Sequence, residues 1–219
     1  MSLFQMTLWW QALILLCCIL NCVESSAPSP VHQSDKYHNS FRLARSTRTR
    51  VQQLQRRYKE QQLGDGQFED RSRQLRDLPS LSTDYYSWLN LTDWERLHGA
   101  FKDMQVYWNM LEWKRTQLER EQVTRGAAHN ILPHSMKYIQ LDLRDLMSQV
   151  SNQMSFMQSS WVKHTSPTAR APLNPDTGSK TVWDSRVEGY IILRDLELYL
   201  TKLARDFLLL ASKAQVTQH

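Results

Sequence analysis

Residues Thr92 to Gln122 read TDWERLHGAFKDMQVYWNMLEWKRTQLEREQ. Trp94, Leu97, Phe101, Met104, Trp108, Leu111 and Leu118 recur at alternating spacings of three and four, an a/d register held for three and a half heptads and interrupted only by Arg115. That period belongs to one face of an α-helix. Thr92 and Glu95 stand at capping-box spacing and mark its start.

Three further segments carry the same signal. From about Asp35 to Leu63 the repeating positions are Leu43, Thr47, Val51, Leu54 and Tyr58. From about Ile131 to His164 they are Leu132, Met136, Ile139, Leu143, Leu146, Val150, Met157 and Trp161. From about Thr181 to Lys213 they are Leu193, Leu196, Leu200, Leu203, Phe207 and Leu210. Such stripes suit an extended coiled coil, helices lying flat on lipid, or a bundle core. Their aromatic content favours the bundle. Six glycines in 219 residues argue against a turn-rich all-β fold and against glycine-lined phosphate loops, while eight tryptophans supply a sizeable core.

Loop lengths set the topology. About eight residues around Gly126 join the second and third segments, so those helices are expected to be antiparallel neighbours. About 28 residues, Gly64 to Leu91, and about 16, Thr165 to Lys180, make the other two connections. Sixteen extended residues reach ~53 Å, enough to run back along a 30-residue helix of ~45 Å. The expected fold class is all-α, a long-chain four-helix bundle in up-up-down-down order with two long crossover loops.

Ahead of the bundle, Leu8 to Val23 (LWWQALILLCCILNCV) is an apolar run of secretory h-region length. Val23 and Ser25 fit the −3 and −1 positions of a cleavage site; Ser25 and Ala27 also fit but would leave Pro28 directly after the cut. No Lys or Arg precedes the run, and an uncleaved anchor is the competing reading. Sixteen residues fall short of the ~20 that span a bilayer. Residues 1–25 are therefore expected to be a signal peptide, 26–34 a flexible tail, 35–213 the bundle and 214–219 a C-terminal tail, in a secreted, extracellular protein with no stable membrane insertion. All three cysteines, Cys17, Cys18 and Cys22, lie in the first of these pieces. Disulfides, a cysteine zinc site and a cysteine nucleophile are thus excluded from residues 23–219.

No catalytic or metal constellation is present in the sequence. The histidines are scattered, with no i,i+4 pair on a helix, and the G-x-S-x-G, H-E-x-x-H, P-loop and dinucleotide patterns are missing. No enzyme activity, metal or cofactor is expected. The formal charge is +5. Arg42, Arg45, Arg48, Arg50, Arg56 and Arg57 crowd the first helix, as a solvated face or as a stripe for heparin-like glycans, with Arg42, Arg45 and Arg48 as its core. Aromatic interleaving for base stacking is sparse there, and a secreted chain does not meet nucleic acid. Asn90-Leu91-Thr92 is the one N-x-S/T acceptor and a candidate glycosylation site.

Ser82-Thr83-Asp84, Trp88, Leu91-Thr92 and Glu95-Arg96-Leu97 resemble the end of the first long loop and the start of the second helix in ciliary neurotrophic factor. Ser40-Phe41-Arg42-Leu43-Ala44-Arg45 is similar to the first helix of that family, and the resemblance runs through the fourth helix with Gly189, Leu193, Leu196 and Asp206. On these residues the chain is identified as a member of the ciliary neurotrophic factor, cardiotrophin and leukaemia inhibitory factor branch of the interleukin-6 cytokine family, resembling ciliary neurotrophic factor most.

The resemblance implies a non-catalytic cytokine, monomeric before it binds, that assembles cell-surface receptors and triggers JAK-STAT signalling. The family's site for the leukaemia inhibitory factor receptor, Phe-x-x-Lys at the start of the fourth helix, falls on Trp183 and Arg186, an aromatic and a cation on one face. Trp183 also reads as a residue that merely tops the core. The α-receptor site falls on Trp88, Lys202 and Asp206, although Lys202 and Asp206 at i,i+4 also read as an ordinary surface ion pair. A glycan on Asn90 would sit beside Trp88. A third surface, on the first and third helices, would meet the shared signal-transducing chain. The sequence departs from ciliary neurotrophic factor, which is leaderless, in its apparent signal peptide, and from the cardiotrophin-like secreted member in having no cysteines in its body. The competing function is a secreted amphipathic helical protein that binds heparin-like glycans or lipid surfaces.

Overall fold

The computed structural model describes residues 30–81, 84–125, 131–158 and 181–216. Helix α1 is Pro30–Tyr58, extended by a π-helical turn, Lys59–Leu63. A short α2, Tyr85–Asn90, lies in the first long connection. Then follow α3, Asp93–Arg125, α4, Ile131–Gln158, and α5, Val182–Val216. No strand occurs among the described residues. The expected signal peptide with its cysteines, Gly126, Trp161 and the connection from Thr165 to Lys180 lie outside the described residues.

Local chemistry sets the starts of α3 and α5 and the end of the π-turn. Thr92 Oγ1 accepts from Glu95 N at 3.2 Å and Glu95 Oε2 accepts from Thr92 N at 2.9 Å, so the capping box forms as the spacing predicts. A threonine cap opens α5, where Thr181 Oγ1 accepts from Asp184 N at 3.0 Å and donates to Asp184 Oδ2 at 2.7 Å. The π-turn stops at Gly64, whose φ of 72° lies in the left-handed region that a glycine enters without a Cβ clash. Helix α1 begins at Pro30 rather than near Asp35, and α5 continues to Val216 rather than Lys213, because the ends pack: Ser34 donates to the Ala211 carbonyl at 3.3 Å.

Side-chain bonds give the helix directions. The start of α1 meets the end of α5 (Ser34–Ala211), and its end meets the start of α5 (Tyr58 to the Arg186 carbonyl, 3.0 Å). Ser40 bonds Gln149 and Gln153, and Thr47 bonds Asp142, so α1 also runs antiparallel to α4. Arg96–Asp206 and Lys114–Ser185 make α3 antiparallel to α5; since α1 runs against both α4 and α5, α3 is also antiparallel to α4, which it meets where Gln140 donates to the Trp108 carbonyl. Two helices run up and two run down. The first connection tracks α5 from end to end: Phe68 packs on Tyr190, Arg194 donates to the carbonyls of Asp70 and Arg73, and Trp88 reaches Asp206.

The apolar stripes are consumed in this core. The repeating positions of α5 and Leu132 to Val150 of α4 are buried, as are Thr47, Val51, Leu54 and Tyr58 of α1, with Leu43 half-buried. No helix among the described residues is long and apolar enough to cross a membrane. On α3 the register is rotated from the expected one. Leu97, Met104, Leu111 and Leu118 are buried, but their partners are Ala100, Tyr107 and Lys114, while Trp94, Phe101 and Trp108 are half-buried at the flank. Arg115 is thereby turned to the flank, where Glu112 and Glu119 bind it.

Lys114 sits in the core at 1% exposure. Its ammonium spends all three protons, on the Ser185 carbonyl (2.6 Å), Ser185 Oγ (3.0 Å) and Gln117 Oε1 (2.9 Å). Burial, opposed by Glu188 and Glu121, pushes its pKa down to about 8. The close approach that admits it is at Gly189, where an added Cβ would overlap both the Tyr58 hydroxyl and Lys114 Cε. Gly189→Ala gains up to about 1 kcal/mol in helix propensity, yet overpacking here costs about 1–3 kcal/mol or more, so the clash wins. The variant is expected to melt several degrees lower, at about 2–4 °C per kcal/mol for a domain of this size. A melting temperature at or above that of the parent would refute the close-packing argument.

Candidate functional site

Two surfaces at opposite ends of α5 gather the candidate residues. At its C-terminal end, Asp84 caps α2 by accepting from Ser87 N at 3.0 Å, and the single helical turn aims Trp88 at α5. Trp88 Nε1 donates to Asp206 Oδ1 at 2.7 Å. Arg96, one turn into α3, donates to the same oxygen at 2.7 Å and to the Trp88 carbonyl at 2.6 Å, with its guanidinium 4.8 Å from the Trp88 ring centroid. Arg96 and Asp206 are both buried, Asp206 at 6% exposure. The pair therefore lies in a low-dielectric setting where partnering matters more than at a surface.

This arrangement corrects the expectation of a Lys202–Asp206 surface ion pair. The Asp206 carboxylate is turned inward to Arg96 and Trp88, and its role is to hold Trp88. Lys202 is half-buried and lines a cleft of about 460 Å³ with Leu81, Tyr85, Trp88 and Arg205. Tyr85 is 63% exposed, its ring tilted against Trp88 with centroids 6.1 Å apart. Asn90 is exposed at the end of α2. Two residues along a helix turn the chain by about 200°, so Asn90 and Trp88 leave α2 on opposite sides.

Beside this cluster, Asp103 of α3 faces α5. Burial raises its pKa to about 6, with Asp206 adding to the rise and Lys202 opposing it. The folded value exceeds the unfolded one, so the folded state prefers the protonated acid. Stability is then highest below pH 4 as far as this group is concerned, and falls as pH rises through about 6. Asp103→Asn is expected to stabilise the fold by about 1–2 kcal/mol at pH 7, part of the ~3 kcal/mol that two pKa units represent, and by close to nothing at about pH 3, below the unfolded value. Denaturant midpoints at the two pH values measure this, and an equal gain at both would sink the argument.

At the N-terminal end of α5, Trp183 is 45% exposed. Phe68 from the first connection meets it edge-on at 6.0 Å and meets Tyr190 edge-on at 5.2 Å. Trp183 thus stands on a loop-built aromatic pedestal and does not cap the core. Arg186 is one turn further, its backbone carbonyl accepting from the buried Tyr58 hydroxyl and its Nε buried without a partner. Arg73 reaches Asp184 at 3.4 Å beside them. The sequence reading missed Phe68, Arg96 and Lys114. Arg96 carried a signal in its place within the quoted Glu95-Arg96-Leu97; Phe68 carried none.

The arginines of α1 divide. Arg48 pairs with Glu197 at 3.0 Å on the α5 side, and Arg50 with Asp142 at 2.6 Å on the α4 side. Arg48 therefore leaves the expected basic core of Arg42, Arg45 and Arg48. Arg42, Arg45, Arg56 and Arg57 are exposed. Among the described residues no cluster of three or more His, Cys, Asp or Glu is placed to hold a metal.

Two antiparallel helix pairs, a loop strapped along the last helix and an aromatic at each of its ends define a long-chain helical cytokine. The sequence model of the ciliary neurotrophic factor family matches residues 21–219, and the chain belongs to that family. It is a cytokine of the interleukin-6 type, in a family of non-enzymatic signalling ligands. Comparison with individual curated proteins gives no match.

Proposed function

We propose that this cytokine is secreted after loss of residues 1–25 and acts as a monomer. It joins the shared signal-transducing chain to the leukaemia inhibitory factor receptor, together with a ciliary neurotrophic factor receptor α chain, and triggers JAK-STAT signalling. The observation that carries the reading is Trp183, a large aromatic held half out of solvent by Phe68 one turn from Arg186. Trp and Arg are the favoured anchors of binding hot spots, and a pre-positioned ring loses little entropy on docking. Trp88, pinned by Asp206 and Arg96, offers a second rigid aromatic with Lys202 at the rim of its cleft, and is the proposed α-receptor contact. Asp206 serves that surface from beneath. Asn90 carries a glycan on the side of α2 away from Trp88, so the modification and that contact coexist.

A panel of immobilised receptor ectodomains, followed by a readout of STAT phosphorylation in cells bearing the same receptors, tests the reading. Binding to the shared chain and to the leukaemia inhibitory factor receptor is expected. Failure to bind either one overturns it.

A further inference from the structure

We infer that the outer face of α1 is a binding stripe for a linear sulfated polysaccharide. Arg42, Arg45, Arg56 and Arg57 are exposed and reach no carboxylate at ion-pair distance among the described residues; Arg42 donates to the neutral Asn39 amide at 3.3 Å, and Arg45 lies 5.5 Å over Phe41. At 100° per residue these four fall within about 120° of arc, and from Arg42 to Arg57 the face runs about 22 Å. Arg48 and Arg50, at either edge, are already neutralised by Glu197 and Asp142. The free cations therefore form one file of two pairs, Arg42 with Arg45 and Arg56 with Arg57, separated by about 16 Å along the helix.

What lies between them selects the ligand. The exposed positions inside the file are Ser46, Thr49 and Gln53, with no carboxylate and no apolar side chain. A protein partner would want an aromatic or aliphatic anchor in the centre of the patch. A lipid surface would want apolar side chains to insert, and a nucleic acid would want rings on which bases stack. None of these is among the exposed residues of α1 on this face; Tyr138 of α4, 52% exposed, stands beside it in the neighbouring groove. An elongated polyanion needs only spaced guanidinium groups, which bind sulfate oxygens in bidentate fashion as they bind phosphate. Alongside, a groove of about 330 Å³ between α1 and α4 brings the hydroxyl-bearing Ser135 and Tyr138 next to Gln53 and Arg57, adding neutral donors for a sugar ring.

Heparin is the probe. Retention of the full chain on immobilised heparin is measured against salt for the parent, for a stripe variant (Arg42→Gln, Arg45→Gln, Arg56→Gln, Arg57→Gln), and for a control of equal charge (Arg71→Gln, Arg76→Gln, Arg120→Gln, Arg144→Gln). All eight positions are exposed and Gln is a good helix former, so the fold is retained, as circular dichroism and melting verify. The stripe variant is expected to lose about 3 from the slope of log affinity against log salt, about 0.7–0.9 for each cation removed from a condensed polyanion. The control is expected to match the parent on heparin, while both variants shift equally on a sulfopropyl resin. Equal loss by the control would reduce the effect to net charge and overturn the proposal. A stripe variant that keeps the parent's heparin affinity and salt slope also overturns it; if that variant loses binding to the shared signal-transducing chain, the face belongs to the receptor surface expected on α1 and α4.

Discussion

Asp206→Ala is expected to cost about 3–5 kcal/mol of stability, the loss typical of breaking a buried ion pair from one side. For a domain of this size that lowers the melting temperature by about 6–20 °C. The carboxylate answers two donors from different parts of the chain, Trp88 Nε1 and Arg96, each at 2.7 Å. Removing it leaves the Arg96 guanidinium buried, with its Nε already without a partner. Coulomb attraction at 3–4 Å in such a setting is several times that of an exposed pair, and water cannot step in without opening the α3–α5 contact. Replacing both ends, as in Arg96→Met with Asp206→Leu, removes the stranded charge and is expected to recover most of the loss. Trp88→Ala is the contrast: it removes the proposed receptor contact while leaving the ion pair intact, so α-receptor affinity drops more than stability does. Urea denaturation of the three variants separates these roles. An Asp206→Ala protein that unfolds at the parent midpoint would show that the pair is not an anchor.

Trp183→Ala combined with Arg186→Ala is expected to reduce affinity for the leukaemia inhibitory factor receptor at least about 100-fold, since two hot-spot residues at about 2 kcal/mol each amount to roughly that factor before non-additivity. Stability is expected to move little. Trp183 makes one edge-on ring contact, worth about 0.5–1.5 kcal/mol, and the backbone carbonyl of Arg186, which binds Tyr58, survives the substitution. Receptor titration and STAT phosphorylation, read beside a melting curve, measure both quantities. Parent-like signalling from a folded double variant removes the site from the end of α5.

The contrast between Asp206 and Lys114 explains what could be read from residue order. Helix periods, the Thr92–Glu95 box and the reach of the first long connection are local or length-limited properties; the long helices, the box and that connection running along α5 all appear in the fold. The face of α3 was harder. Apolar residues cover more than half its circumference, so spacing admits two registers, with Trp94, Phe101 and Trp108 or with Ala100, Tyr107 and Lys114. A hydropathy pattern rejects the register that buries a lysine. The structure accepts it because Ser185, 71 positions away, supplies two of the three acceptors the ammonium needs. Likewise the i,i+4 rule offered Lys202 to Asp206, whereas the carboxylate found Arg96, 110 positions earlier.

Residue order alone therefore settled the number and direction of the four long helices, the starts of α3, α4 and α5, and the family, because burying an apolar stripe is non-directional and a crossover must be long enough to reach. Only the packed bundle decided which charges pair, which tryptophans stay half in solvent, and which arginines of α1 remain free. Hydrogen bonds and ion pairs depend on separations of about 3 Å between side chains far apart in the chain, and their strength is set by how much water the surrounding helices exclude.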